Sequence, residues 1–388
     1  MRVLICPDKF AGTLPAAEVA AAVATGWRDR APTDELVLRP LSDGGPGFVE
    51  VLAESTAGRR VPVPTVDPLG RPVPGEILLV DGPGAGGTAT AGPTAYVESA
   101  QACGLHLLAE AERDPKHTTS YGLGLLLVAA VEHGARRVVV GLGGSATNDA
   151  GAGMLTALGV TPLDAAGYAL PFGGAALAGV DRLDGAPRLR GVELVAATDV
   201  DNPLTGLHGA SNVYGPQKGA DRADVLLLDA ALQRFAGTLV AELPGCPPEL
   251  AALPGAGAAG GIGAALLALG GRCESGIDLV TALIGLPAAL DAADLVITGE
   301  GSFDHQSLRG KVVAGVAGAA RDRGLPCVVL AGQVSTGRRE SAAAGVTEAY
   351  ALVDHFGGET GGGLAQALAR PADGLRGIAA RLAGQWSR

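Results

Sequence analysis

Lysine is nearly missing from this chain. Among 29 basic residues in 388 positions only four are lysines, Lys9, Lys116, Lys218 and Lys311, and the net charge is −11. A nucleic-acid surface needs a basic patch, and none is present, so nucleic acid is excluded as a partner. Cysteine is sparse, at five, and Cys6, Cys103, Cys246, Cys273 and Cys327 form no C-x-x-C pair and no zinc spacing. They read as small buried apolar residues in a reducing compartment. The six histidines fall in no H-E-x-x-H pattern. Long apolar runs are absent too. The longest, Leu123 to Val131, is far short of the ~20 residues that a membrane span requires. No charged, apolar and cleavable leader precedes the opening strand. The expectation is a cytoplasmic protein without a membrane partner.

What is present is an apolar, glycine-rich chain: 47% hydrophobic, 18% charged, with 61 glycines. That composition is opposite to disorder and suits close helix–sheet packing. Short apolar runs alternate with Ala/Leu-rich helical stretches, the signature of parallel α/β architecture. RVLIC and ELVLRPL at the N-terminal end, and DLVIT, PCVVLAG and TEAYALV near the C-terminal end, supply five strands. Helices are expected over 15–30, 48–54 and 312–323, with a closing helix over 363–385. The middle carries more proline, hairpin-like segments (RPVPGEILLV, TAYVESA) and Gly-rich loops. The fold class is therefore α/β, with a Rossmann-like doubly wound parallel sheet domain formed by both chain ends (1–66 and 287–388) and a large inserted α/β domain (67–286). Junctions are placed at Asp67-Pro68-Leu69-Gly70 and Gly285-Leu286-Pro287. The stretch Asp81 to Pro93 reads as a surface loop.

In open α/β sheets, ligands bind beyond the carboxyl ends of the strands. Asp8 and Lys9 follow the first strand, Asp43, Gly44 and Gly45 the second, and Gly299, Glu300 and Gly301 the third, with Gly332 and Gln333 after the fourth. A cation, carboxylates and glycines thus share one rim. Asp8, Glu300 and Asp304 are the candidate ligands of a magnesium ion, which takes one or two carboxylates beside substrate phosphates. All four lysines lie in turn-like segments (PDK, DPKHTTS, GPQKGA, RGK), and lysine is a compact phosphate contact.

The strongest local signal is VVVGLGGSATND, 138–149. A strand feeds a glycine turn and then a helix, where backbone N–H groups suit an anion. Gly143, Gly144, Ser145, Thr147 and Asn148 are the candidate phosphate donors. The turn also contains G-x-G-x-x-A, which keeps an NAD-dependent oxidoreductase as a rival. Against it, Asp149 at the helix start opposes a pyrophosphate. A second run, 254–263, adds Gly257, Gly260 and Gly261 as further candidate phosphate contacts; no strand precedes it, so it fails the context of a dinucleotide fingerprint, and close helix packing is the alternative. No P-loop pattern occurs, nor the catalytic loop of protein kinases. Asp199, in TDVDNPL after an apolar run, is positioned to accept a hydroxyl proton, and GEGSFDHQS…RGK gathers acid, hydroxyl and cations around Asp304 and Lys311. His305 reads as a solvated loop residue.

PDKFAGTL, SDGGPG, DPKHTTS, GLGGSATNDAGAGM, DVDNPL, GPQKGA, GAGAAGGIGAAL and TGEGSFDHQSLRGK occur in this order over nearly the whole chain. Together they resemble the bacterial glycerate kinase family, the type without a P-loop. The resemblance implies ATP-dependent, magnesium-assisted phosphorylation of D-glycerate, commonly to 2-phosphoglycerate and less often to 3-phosphoglycerate. Lys9 and Asp199 are the candidate catalytic residues, Asp199 on its position after a strand and not on the resemblance, and Asp43, Gly44, Gly45, Lys218 and Lys311 are the candidate substrate contacts. A cleft between the two domains is expected to close on substrate, with hinges near Gly70 and Gly285 at the two junctions, and the chain is expected as a monomer or homodimer. Five positions depart from the family pattern: Ala11, Pro46, Tyr121, Leu125 and Ser302 each remove a charge from a candidate loop. A non-catalytic ligand-binding relative is the corresponding alternative.

Overall fold

The computed structural model describes residues 1–10, 12–82, 92–189, 191–305, 307–308 and 312–387. Ala11, Lys311 and most of the 81–93 stretch lie outside them. Among the described residues the strands are, in chain order, β1 (Arg2–Ile5), β2 (Glu35–Leu38), β3 (Arg59–Val66), β4 (Pro72–Val80), β5 (Thr94–Glu98), β6 (Arg137–Gly141), β7 (Val160–Leu163), β8 (Arg182–Gly185), β9 (Glu193–Ala197), β10 (Arg272–Glu274), β11 (Leu295–Phe303), β12 (Cys327–Val334) and β13 (Glu348–Ala351). The chain divides into two compact units. One comprises Met1–Asp43, Glu50–Ser55 and Val280–Arg388; the other comprises Gly44–Val49 and Thr56–Leu279.

The first unit holds a five-stranded sheet in the order β13-β12-β11-β1-β2, parallel at every pairing. Its central strands are apolar on both faces, as strands covered on both sides must be; Val3, Leu4, Ile5, Val296, Val328 and Val329 are all buried. The chain leaves β1 for β2 on one side and returns to β11 on the other. That reversal makes the carboxyl ends of β1 and β11 the topological switch point, where ligands settle in such sheets. Helix Ala16–Arg30 turns Val19, Val23 and Trp27, spaced by four, into the core. It rests against helix Pro371–Trp386, where Leu375, Ile378 and Leu382 repeat the pattern. The contact is backbone-close: a Cβ on Gly26 would collide with the Arg376 carbonyl. The single closing helix expected over 363–385 is two helices, Gly363–Ala369 and Pro371–Trp386. Pro371 disfavours helical geometry at the residue before it and opens the second helix at its first turn.

The second unit holds a six-stranded sheet, β10-β9-β6-β5-β4-β3. It is parallel from β10 to β5 and antiparallel at β5–β4 and β4–β3; β7 and β8 form a separate hairpin. The β3–β4 turn is the DPLG segment that was read as a domain junction. Asp67 Oδ1 accepts the N–H groups of Leu69 and Arg71 at 2.8 and 2.9 Å, and Gly70 has φ +81°. The segment is therefore a closed hairpin tip. The other division falls at 279/280, inside helix Gly276–Leu283. Helix Tyr121–Glu132 and the helices around 222–268 bury this unit's own core. No helix among the described residues is long and apolar enough to cross a membrane.

Candidate active site

In the first unit, β1 ends and Asp8 donates its N–H to the Gly299 carbonyl of β11 at 2.8 Å. The switch point is thereby pinned, and a cavity of about 420 Å³ opens over it, lined by Asp8, Lys9, Asp43, Glu300, Ser302 and Asp304 on its polar side. Lys9 Nζ lies 3.4 Å from Asp8 Oδ1 and 3.8 Å from Asp43 Oδ1. Asp8 is 8% exposed. Burial raises its carboxyl to about 6; Lys9 pulls it down and Asp43 pushes it up. The opposite wall is apolar, built from Leu352, Leu364, Ala367 and Leu368. Leu364 and Leu368, one turn apart on helix Gly363–Ala369, are 43% and 58% exposed. Sequence patterning gave no sign that this helix would join the site.

Asp8, Glu300 and Asp304, the expected magnesium ligands, line this one cavity. Among the described residues no three metal-binding side chains stand close enough to form a cage. That donor set fits magnesium, which keeps waters and phosphate oxygens beside one or two protein carboxylates. Asp304 also closes its own turn, accepting the Ser307 N–H at 3.2 Å while its N–H donates to Ser307 Oγ at 3.1 Å. His305 is 69% exposed and 3.6 Å from Glu340.

In the second unit, β6 and β9 end side by side, and Leu142 N–H donates to the Ala197 carbonyl at 2.9 Å. The loop after β6 carries Gly143, Gly144, Ser145, Thr147 and Asn148. Among the described residues no protein acceptor takes the main-chain N–H of any of these five. Gly143 is half-buried and Gly144 exposed, with φ +61°. Gly44 and Gly45 belong here: a Cβ on Gly143 would come within 2.7 Å of Gly45 Cα, and one on Gly44 within 2.9 Å of the Ala197 carbonyl. Asn148 is fully buried, donating Nδ2 to Ser211 Oγ at 2.8 Å.

Asp149 does not face the loop. It is 1% exposed and accepts N–H groups from Gly151, Gly153 and Ser120, plus the Ser120 hydroxyl. Its carboxyl is raised by burial. The helix that follows is short, Ala152–Ala157, and Asp149 occupies its first donors. A dinucleotide would need those same donors, which removes the structural basis of the oxidoreductase rival.

The second glycine run is placed differently from the phosphate role expected of it. Gly257, Gly260 and Gly261 are buried. Ala259, Gly260 and Gly261 are left-handed, at φ 50°, 70° and 93°. A Cβ on Gly260 would collide with the Thr147 carbonyl, and one on Gly261 would come within 2.6 Å of Ala150 Cα. Ala150 N–H donates to the Gly260 carbonyl at 3.0 Å. This run braces the 147–150 loop from behind instead of opening onto a ligand. Asp199, expected as a proton acceptor, accepts the Ser275 hydroxyl at 2.8 Å and the Ile277 N–H at 3.1 Å, capping helix Gly276–Leu283. Lys218 is 1% exposed, with Nζ 3.0 Å from Ser145 Oγ and 2.6 Å from the Thr147 carbonyl.

A model described as the glycerate kinase family matches residues 3–387. The chain belongs to the glycerate kinase family. It is 41% identical over 339 residues to a protein of Escherichia coli K12 named glycerate 2-kinase, covering 86% of each chain. It is 40% identical over 355 residues to a glycerate kinase of Halalkalibacterium halodurans, covering 90% of each. A solved structure assigned as a glycerate kinase 2 from Salmonella typhimurium LT2 superposes with a TM-score of 0.78 at 39% identity, over 99% of this chain and 98% of that one. Membership makes the chain a kinase of mixed α/β fold. Of the uncharged positions singled out in the sequence, Pro46 lies over Gly144, Tyr121 meets the Phe172 ring at 5.2 Å, and Ser302 lines the first-unit cavity. Leu125 is half-buried in helix Tyr121–Glu132.

Proposed function

We propose that this chain transfers the γ-phosphoryl group of ATP to D-glycerate, giving 2-phosphoglycerate. The observation that carries this reading is the Lys9 cation set between Asp8 and Asp43, in a cavity at the switch point of a parallel sheet. Phosphoryl transfer asks little covalent chemistry of the protein; it needs positioning and charge neutralisation. Lys9 supplies a cation for phosphate oxygens. Asp8 and Glu300 would hold magnesium, which when bound would supply charge neutralisation for the phosphates. Leu364 and Leu368 offer an apolar wall for the nucleotide base. The amides of Gly143, Gly144, Ser145, Thr147 and Asn148 supply main-chain donors for an oxyanion of the reaction, a carboxylate or a phosphate. The five cysteines are free, in keeping with a reducing cytoplasm.

The test is a coupled ADP-release assay with ATP, magnesium and D-glycerate, followed by NMR of the product. Turnover with phosphorus coupled to the C2 proton supports the reading. Coupling to the C3 protons would move the product to 3-phosphoglycerate. Binding of glycerate or ATP without turnover would favour the ligand-binding alternative.

A further inference from the structure

Lys218 ends a short 3-10 turn, Pro216–Lys218, yet its side chain points inward and is almost wholly buried. A buried ammonium persists only where oxygens and an opposite charge compensate it. Two of its three donors are engaged, by Ser145 Oγ at 3.0 Å and the Thr147 carbonyl at 2.6 Å. These acceptors flank Ala146, so one ammonium clasps the glycine-rich loop on both sides of a single residue. The clasp has a directional consequence. In a trans peptide the C=O and N–H point opposite ways. Turning the Thr147 carbonyl toward Lys218 therefore turns the Asn148 N–H away from it. The N–H groups of Gly143, Gly144, Ser145 and Thr147 also have no protein acceptor among the described residues, while that of Ala146 donates to the Cys103 carbonyl at 2.7 Å.

We propose that Lys218 is the positioning residue of an oxyanion site at 143–148: it fixes the direction of the loop's N–H groups and sets a positive charge beneath them. This rests on the reading of that loop given under the proposed function, and deepens it. The ligand class is a carboxylate or phosphate oxyanion. The titratable groups facing the ammonium are Asp149 and Cys103, which raise its proton affinity, while burial lowers it to about 7. Affinity for the anion therefore falls as pH rises through that region, because the ammonium is lost there.

Backbone-amide NMR and calorimetry on the full chain, from pH 6 to 9, test this with sodium tripolyphosphate and D-glycerate added separately. The wild type is expected to show shifts at Gly143, Gly144 and Asn148 with one of the two, which identifies the oxyanion. Lys218→Met should lower that affinity about tenfold at pH 6.5, in line with loss of a charged hydrogen bond, and abolish its dependence on pH. Lys218→Arg should recover part of the affinity. If neither probe moves the loop amides of the wild type, both the oxyanion site and this proposal fall. If the wild type responds but Lys218→Met binds equally well with the same pH profile, only the role of Lys218 falls. Should Lys218→Met not fold, Ser145→Ala decides. It keeps the Thr147 contact, so a two- to threefold loss supports the clasp, and unchanged affinity with an unchanged pH profile overturns it.

Discussion

A carboxyl group that is 8% exposed, beside Asp43 and answered by Lys9, keeps its proton up to about pH 6. Asp8 thus binds a proton more tightly folded than unfolded. It aids folding below its ordinary value near 4, and that contribution is lost as pH rises through 6. Replacing it with the isosteric amide should therefore stabilise the protein at pH 7.5, by on the order of 2 kcal/mol, with the gain vanishing near pH 4. Urea melts at the two pH values read this directly. The same substitution should lower kcat/KM about a hundredfold at pH 7.5, as expected for loss of a charged group at the reacting end. In the wild type, kcat/KM at subsaturating magnesium should decline below pH 6. Asp199 makes the contrasting case. If capping is its whole task, Asp199→Ala should cost about 1 kcal/mol of stability and leave kcat within a few-fold. A collapse of kcat without loss of stability would restore it as the proton acceptor.

Among the elements, the second glycine run shows where sequence pattern and structure part. GAGAAG looks like a phosphate turn because both phosphate turns and tight backbone crossings need residues without a Cβ. Pattern alone cannot separate the two; the decisive fact is which carbonyl lies over Gly260, and that is tertiary. Gly260→Ala combines a left-handed backbone with a collision against the Thr147 carbonyl. It should destabilise the protein by roughly 3 kcal/mol or more, seen as a shifted denaturation midpoint. The strands of the first unit were legible for the opposite reason. RVLI, LVIT and CVVL are continuous apolar runs, and a parallel strand buried on both faces needs nothing else. Asp8 and Lys9 were legible because strand ends are. The leucine wall was not, since two leucines a turn apart on a helix look the same in a core as beside a ligand. Asp149 was misplaced in direction: it was read as facing the loop, but its carboxylate is used by the peptide groups of its own helix.

At the scale of the whole molecule, the chain is strongly acidic, at −11, and its first-unit cavity sets Asp8, Asp43, Glu300 and Asp304 against Lys9. Nucleotide polyphosphate entering without a divalent cation meets like charge. Removing magnesium with EDTA should weaken the affinity for a non-hydrolysable ATP analogue at least about tenfold, as measured by calorimetry. Equal affinity with and without the metal would mean that the carboxylates play no part in holding it. Asp8, Lys9 and Asp43 meet around the cavity.

The first sheet has a consequence for how the molecule is made. β1 pairs with β2 on one edge and with β11 on the other, and helix Ala16–Arg30 rests against Pro371–Trp386. A ribosome adding about 5–20 residues per second leaves β1 and helix Ala16–Arg30 waiting for these partners while the whole second unit is made. During the interval Val3, Ile5 and Trp27 lack the partners that Leu295, Ile297, Leu375 and Ile378 supply in the finished core. Newborn chains halted before the last helix should therefore be the ones that chaperones hold and proteases find.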